Sequence, residues 1–148
     1  MSEPNTIEFA RIGVRDIGSS DPFTYFCGIQ TTGFNRAVQT NDRAVKDCQY
    51  PGRPAERRIR VTGRSRTLTG SGLYNEDQRE LVDSIEGVRK EYQVVFVDLD
   101  DGTEAGTDVE IRQGPGIATS INMGTSENDL GTLEITIESD GAWTSEAA

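Results

Sequence analysis

Apolar residues along this chain recur mostly with a period of two. Leu133, Ile135 and Ile137 alternate with Glu134, Thr136 and Glu138, the pattern of a strand with one dry and one wet face. Val109 and Ile111 alternate with Asp108 and Glu110 in the same way, and Ile117, Thr119, Ile121 and Met123 form a further alternating set. Ile7, Phe9 and Ile12 predict an opening strand. Phe23 to Gln30 and Thr32 to Val38 predict two more, broken near Gly28 and Gly33. From Tyr92 to Leu99 both faces are apolar, which predicts a central strand covered on both sides.

Breaks fall between these runs. Asp101-Gly102 suits a type I′ hairpin turn, and Gly114-Pro115-Gly116 and Glu127 to Gly131 read as further loops. On this reading all five prolines (Pro4, Pro22, Pro51, Pro54 and Pro115) lie in loops. One segment has helical spacing, about Glu76 to Glu86. Asn75 is its expected cap, Gln78 completes a capping box, and Glu76, Asp77 and Glu80 suit the positive end of the helix dipole. Leu81, Val82, Ile85 and Val88 form an apolar stripe for covering a sheet, and Gly87 suits a left-handed stop.

Two stretches depart from the short-strand pattern. Gln39 to Glu56 is polar, holds two prolines and shows no period, so it predicts a long loop, and loops of that length are usually functional or disordered. Arg57 to Leu73 is long for one strand. Ile59 and Val61 alternate there with Arg58 and Arg60, Arg64 and Arg66 continue the charged face, and Gly63, Gly70 and Gly72 predict bends or bulges. The expected architecture is a mostly β fold: an antiparallel sandwich or small barrel of about seven to nine strands with one flanking helix and a long loop.

Length and composition narrow the function. A chain of 148 residues suits a single domain, 1–148, with one core. It contains no histidine, which excludes a Ser-His-Asp triad, a Cys-His pair and any histidine-bearing metal site. The formal charge of −10 argues against ordinary nucleic-acid binding. That charge is uneven: residues 1–74 carry a net +4 and residues 75–148 a net −14. The split fits either a molecule that attracts copies of itself or a solvated acidic face. The start, Met1 to Asn5, is polar, and the longest apolar run, Val94 to Val97, is far too short to span a membrane, so a soluble protein made in a cytoplasm is expected. Cys27 and Cys48 are expected there as free thiols.

Candidate chemistry is sparse. Asp98, Asp100, Asp101, Gly102 and Glu104 look like a calcium loop, but the sixth position holds Thr103 where glycine is needed, so a solvated hairpin turn is the better reading. Gly70-Ser71-Gly72 lacks the third glycine and the lysine of phosphate loops and reads as a bulge or tight turn. No carboxylate pair stands out as a hydrolase site, so no catalytic residue, cofactor or metal is assigned and no enzyme is expected. Arg53, Arg57, Arg58, Arg60, Arg64 and Arg66 lie within 14 residues and favour salt bridges within an assembly over nucleic acid. Phe9, Phe23, Tyr25, Phe26, Phe34, Tyr92 and Phe96 have strand spacing and are expected in the core. Trp143, beyond the last strand in a C-terminal tail (140–148), either anchors on a neighbour or staples onto its own domain.

The order of parts carries a resemblance. Short strands precede a polar loop with Cys48, Pro51 and Gly52. A long strand then ends Thr69-Gly70-Ser71-Gly72, and an acidic-capped helix, a buried strand and a hairpin follow. The chain closes on the strand from Thr132 to Gly141. This layout resembles the tail tube (major tail) proteins of long-tailed bacteriophages and the related gene transfer agents. The resemblance implies a structural virion protein of the sandwich-barrel type, assembling with itself as homohexameric rings stacked into a tube. It further implies a lumen that holds a tape measure protein and then conducts genomic DNA during ejection. Tail terminator and tail tip proteins are the implied partners. No membrane is involved, and the places are the virion tail and, during assembly, the host cytoplasm. The type VI secretion tube protein shares the fold, so a related injection machine or tailocin is the alternative, and a monomeric β-sandwich binding module is another. Under this resemblance the loop Gln39 to Glu56 is the ring-stacking arm, with Asp42, Arg43, Lys46, Asp47, Tyr50 and Arg53 as contacts. Arg58, Arg60, Arg64 and Arg66 serve inter-subunit or lumen salt bridges, and Asp108, Glu110, Glu134 and Glu138 are acidic lumen candidates that would let DNA slide. Arginines lining the lumen would contradict a uniformly acidic channel unless carboxylates pair them.

Overall fold

The computed structural model describes residues 9–99, 106–125 and 131–147. Eight strands and one helix occur among them: β1 (Phe9–Arg15), β2 (Thr24–Tyr25), β3 (Ile29–Val45), β4 (Glu56–Leu73), α1 (Arg79–Ile85), β5 (Arg89–Asp98), β6 (Thr107–Gly124), β7 (Thr132–Ser139) and β8 (Thr144–Ala147). The strands form one sheet in the order β2-β1-β5-β6-β7-β4-β3, with β8 added on β6. The pairings of β1, β2, β5, β6, β7 and β8 given by their registers are all antiparallel, as is that of β4 with β7. The expected mostly antiparallel β class with one flanking helix is what the chain adopts. No helix among the described residues is long and apolar enough to cross a membrane.

The chain divides into two compact units. The first comprises Met1–Phe34 with Thr67–Ala148, and the second is Asn35–Arg66. The core lies in the first. Ile12 and Val14 of β1, Leu68 of β4, Val82 and Ile85 of α1, Tyr92 and Val94 of β5, and Leu133, Ile135 and Ile137 of β7 are all buried together. Fully burying such an aliphatic side chain contributes about 1.5–3 kcal/mol. The alternation read in β7 is observed, with Leu133, Ile135 and Ile137 inside and Glu134 and Glu138 outside. β5 is covered on both faces, as expected, with Tyr92 and Val94 in the core and Val95 and Val97 buried opposite.

Glycines set how closely the layers approach. A Cβ on Gly70 would stand 2.7 Å from Ile12 Cδ1, so β4 faces β1 across the core although β5, β6 and β7 separate them in the sheet. A Cβ on Gly72 would collide with the Gly28 carbonyl oxygen and the Ile29 backbone. Gly70-Ser71-Gly72 is therefore neither a bulge nor a turn. It is regular strand, paired with Ile135, Glu134 and Leu133, and its glycines serve close packing.

The other departures have equally local causes. Gly114-Pro115-Gly116 is not a loop but the middle of β6, so Pro115 lies in a strand. β5 covers one edge of β6 as far as Ile117. On the opposite edge β8 pairs Glu110 to Gln113 and β7 takes over at Gly116, so Pro115, which has no N–H, stands at the handover. The set Ile117, Thr119, Ile121 and Met123 does not share one buried face. A register shift between Ala118 and Ser120 reverses the parity, Ala118 is the buried residue, and Met123 is exposed. Gly28 (φ 86°) breaks the early strands as expected, whereas Gly33 lies within β3. Phe9 is exposed, and Ile7 lies outside the described residues. So do Asp100, Asp101, Gly102 and Glu104 of the calcium-like turn and residues 126–130 of the last break.

The helix starts as a 3-10 turn (Glu76–Gln78) on the Asn75 cap, whose Oδ1 accepts from the Asp77 N–H at 3.0 Å. Gln78 does not close a capping box. Its Oε1 accepts from the Cys27 N–H at 2.8 Å and its Nε2 donates to the Tyr25 carbonyl at 3.0 Å, which ties the helix to the link between β2 and β3. Val82 and Ile85 are buried, Val88 is exposed, and Gly87 takes the expected left-handed conformation (φ 68°).

Gly72→Ala is expected to destabilise the fold by more than about 2 kcal/mol, because the clash is with backbone, and chemical denaturation reads it. The Tyr92 hydroxyl is buried without a hydrogen-bond partner among the described residues, and burial pushes its pKa up to about 12. A raised phenol pKa means that stability is full below pH 10 and is lost as pH rises towards 12. Tyr92→Phe is therefore expected to keep or raise the melting temperature at neutral pH and to lessen the alkaline loss. A melting temperature lowered at pH 7 would contradict this.

Candidate assembly surfaces

The second unit, Asn35–Arg66, consists of the later part of β3, residues 46–55 and the earlier part of β4. The stretch expected as a loop is thus only partly one: residues 39–45 continue β3 and residue 56 begins β4, which leaves ten connecting residues. Polar alternation without an apolar face hid this strand. No residue of the unit is buried. Val38, Ile59 and Val61 are 57%, 56% and 53% exposed, so the apolar positions read in β4 face no core there.

Of the six residues expected as contacts, four have partners inside the unit. Asp42 pairs with Arg57 at 2.7 Å. Asp47 accepts from the Gln49 N–H at 2.9 Å. The Arg53 guanidinium lies 4.1 Å from the Tyr50 ring centre, and the Arg53 backbone N–H donates to the Tyr50 carbonyl at 3.0 Å. Arg43 and Lys46 are exposed. Arg58, Arg60 and Arg64 are exposed and Arg66 is half-buried. Two shallow grooves lie along the strand pair. One is lined by Asn41, Asp42, Arg43, Arg58, Ile59 and Arg60, the other by Arg36, Ala37, Val38, Arg64, Ser65 and Arg66. Each sets guanidinium groups beside an aliphatic side chain, a composition common at protein interfaces.

In the first unit the four acidic lumen candidates separate. Asp108 pairs with Arg11 at 2.7 Å, and Glu110 pairs with Arg112. Glu134 and Glu138 are exposed on the outer face of β7, either side of Thr136 and opposite Ser71 and Thr67 of β4. Only these two share one open face. Phe23 and Tyr25 lie against the Arg15 and Arg11 guanidinium groups rather than in the core, and the Tyr25 hydroxyl donates to Gln93 Oε1 at 2.9 Å. Arg15 also grips Glu91 through two nitrogens, at 3.0 and 3.2 Å. Cys27 and Cys48 are free and exposed.

Trp143 resolves to a staple on its own unit. Its Nε1–H donates to the Pro115 carbonyl at 2.8 Å, its ring covers Gly114, where a Cβ would collide with it, and Phe34 packs 5.6 Å away. The residues after it, expected as a tail, form β8 on β6. Gly114, expected in a break, lies within β6, and a glycine inside a strand marks a close approach.

No family model matches the sequence, and no curated protein matches it. Solved structures do match it. A chain from the tail of an empty gene transfer agent particle, from a helical refinement with C6 symmetry, is 26% identical, with a TM-score of 0.67 and coverage of 93% of this chain and 95% of that one. A chain of the sheath-tube complex of an extracellular contractile injection system is 15% identical, with a TM-score of 0.67 and coverage of 98% and 93%. The SPP1 tail tube is 10% identical, with a TM-score of 0.63 and coverage of 98% and 80%. The last two show a shared fold. The fold is that of tail tube proteins, and the likeness read from the order of elements is present in three dimensions. It extends across nearly the whole chain to the tail subunit of the gene transfer agent particle.

Trp143→Ala is expected to destabilise the subunit by about 2 kcal/mol, as for loss of a half-buried indole, and to loosen β8. Thermal denaturation and amide exchange at Arg112 and Gln113 read the two effects.

Proposed function

We propose that this chain is a structural subunit of a phage-like tail tube, forming hexameric rings that stack around a lumen through which genomic DNA passes into the host. The observation that carries the reading is the full-length likeness to a tail subunit from a particle refined with C6 symmetry. The physical state of the isolated subunit supports it. β3 is a terminal strand of the sheet, 17 residues long, and such an uncovered edge is a template for pairing with another chain. A two-stranded segment with nothing buried is marginal alone in water, so Asn35–Arg66 needs a neighbour.

In this reading residues 39–56 supply ring-stacking contacts, with Arg43 and Lys46 as the least committed side chains. Arg58, Arg60, Arg64 and Arg66 pair with carboxylates of other subunits. Glu134 and Glu138 are the better lumen candidates, because Asp108 and Glu110 already have arginine partners. The subunit works without catalysis or cofactor. Its partners are copies of itself, a tape measure protein, terminator and tip proteins, and DNA in transit. It resides in the virion tail after assembly in the host cytoplasm. The likeness to a contractile injection system chain supports the same role in a related injection machine as the second reading.

Negative-stain microscopy of the purified full chain tests the proposal, with rings or tubes expected. A species that stays monomeric at high concentration would refute it. Replacing residues 46–55 by a two-residue Asn-Gly turn is expected to leave a folded subunit that no longer forms tubes, whereas normal tube growth would remove the stacking assignment.

A further inference from the structure

We infer that contact between copies is electrostatic and head-to-tail: the cationic segment Asn35–Arg66 of one copy docks on the acidic first unit of the next. The inference rests on the tube reading and gives its association a direction and a chemistry.

The two units carry opposite charges. Asn35–Arg66 holds nine basic and three acidic side chains, a net of +6. The first unit holds six basic and 22 acidic side chains, a net of −16. The division by compact units is sharper than the division by halves of the sequence. Pairing within the segment neutralises at most three of its nine cations, and Asp42 with Arg57 is one such pair. The first unit is in the converse position, with carboxylates far outnumbering cations.

Charge also decides which surfaces meet. Two cationic segments repel, and so do two acidic units. The attractive pairing between copies sets a segment against a first unit, which uses different surfaces on the two partners. Repeated in one direction from copy to copy, as the tube reading requires, such a contact is heterologous, and it closes into a ring or extends into a filament. The exposed Val38, Ile59 and Val61 lie among these arginines and add apolar area to the same contact. Arginine suits it, because its planar fork matches a carboxylate and desolvates more readily than lysine. A long nucleic acid is the competing occupant for a cationic strand pair, but the −16 unit belongs to the same chain and would repel it.

The test uses the full chain with Arg58→Glu/Arg60→Glu and, beside it, Arg58→Lys/Arg60→Lys. Sedimentation velocity and negative stain are followed from about 0.05 to 0.5 M salt, a range over which the screening length falls from about 14 to about 4 Å. The wild type is expected to need at least about tenfold more protein to assemble at the high-salt end. The charge-reversed variant is expected to stay unassembled at concentrations where the wild type assembles, with unchanged circular dichroism and melting temperature, since neither side chain is buried. The lysine variant is expected to assemble, more weakly. Reversed-charge protein that assembles like the wild type, or wild-type assembly indifferent to salt, would overturn the inference and leave the tube reading standing. A wild type that never assembles at any salt would overturn both. Binding of a DNA duplex at 0.15 M salt that the reversal abolishes, with assembly unaltered, would reassign the segment to nucleic acid.

Discussion

The first unit depends on how one strand distributes its backbone hydrogen bonds. β6 has β5 along one edge and gives its other edge first to β8 and then to β7. Buried backbone groups must be paired, so the point where one partner ends and the next begins has to be built from residues that tolerate it. Pro115 brings no N–H to that point. Its carbonyl accepts from the Asp140 N–H at 3.0 Å and from the Trp143 indole. Gly114 and Gly116 leave room for the Trp143 ring on one side and for Ile137 and the Glu138 carbonyl on the other. The chain's end thereby locks the centre of the sheet.

The second unit obeys the opposite logic. It lacks a buried side chain, it carries most of the chain's positive charge, and its aliphatic residues face solvent. Its connection is tied locally by Asp47 and by the stacking of Arg53 on Tyr50. These contacts shape residues 46–55 without covering the strands. The first unit holds the core, and the second has no buried residue.

This difference explains what the sequence disclosed. Leu133, Ile135, Ile137 and the two-faced run from Tyr92 were legible because core burial writes hydrophobic periodicity into a strand. Asn75 and Gly87 were legible because backbone geometry selects them. The strand from 39 to 45 was not legible, since nothing in the subunit buries one of its faces. The parity of Ile117 to Met123 was misread because one register shift at Thr119 reverses every later side chain. Gln78 was assigned the wrong partners: its spacing suits a capping box, but tertiary contacts with Tyr25 and Cys27 take both ends of its amide. Among the site residues, Asp108 and Glu110 looked as open as Glu134 and Glu138, and only the fold shows which have arginines beside them.

The bare surface of Asn35–Arg66 also bears on how its sequence can change. Substitutions at Ile59 or Val61 are expected to cost the folding of the subunit little, because more than half of each residue stays exposed. Selection acts on them through whatever surface meets them from outside. If the segment docks on a neighbouring copy, the two surfaces are free to drift together in charge and shape while the scaffold stays fixed. Two tubes built on the same β framework can in this way come to reject each other's subunits.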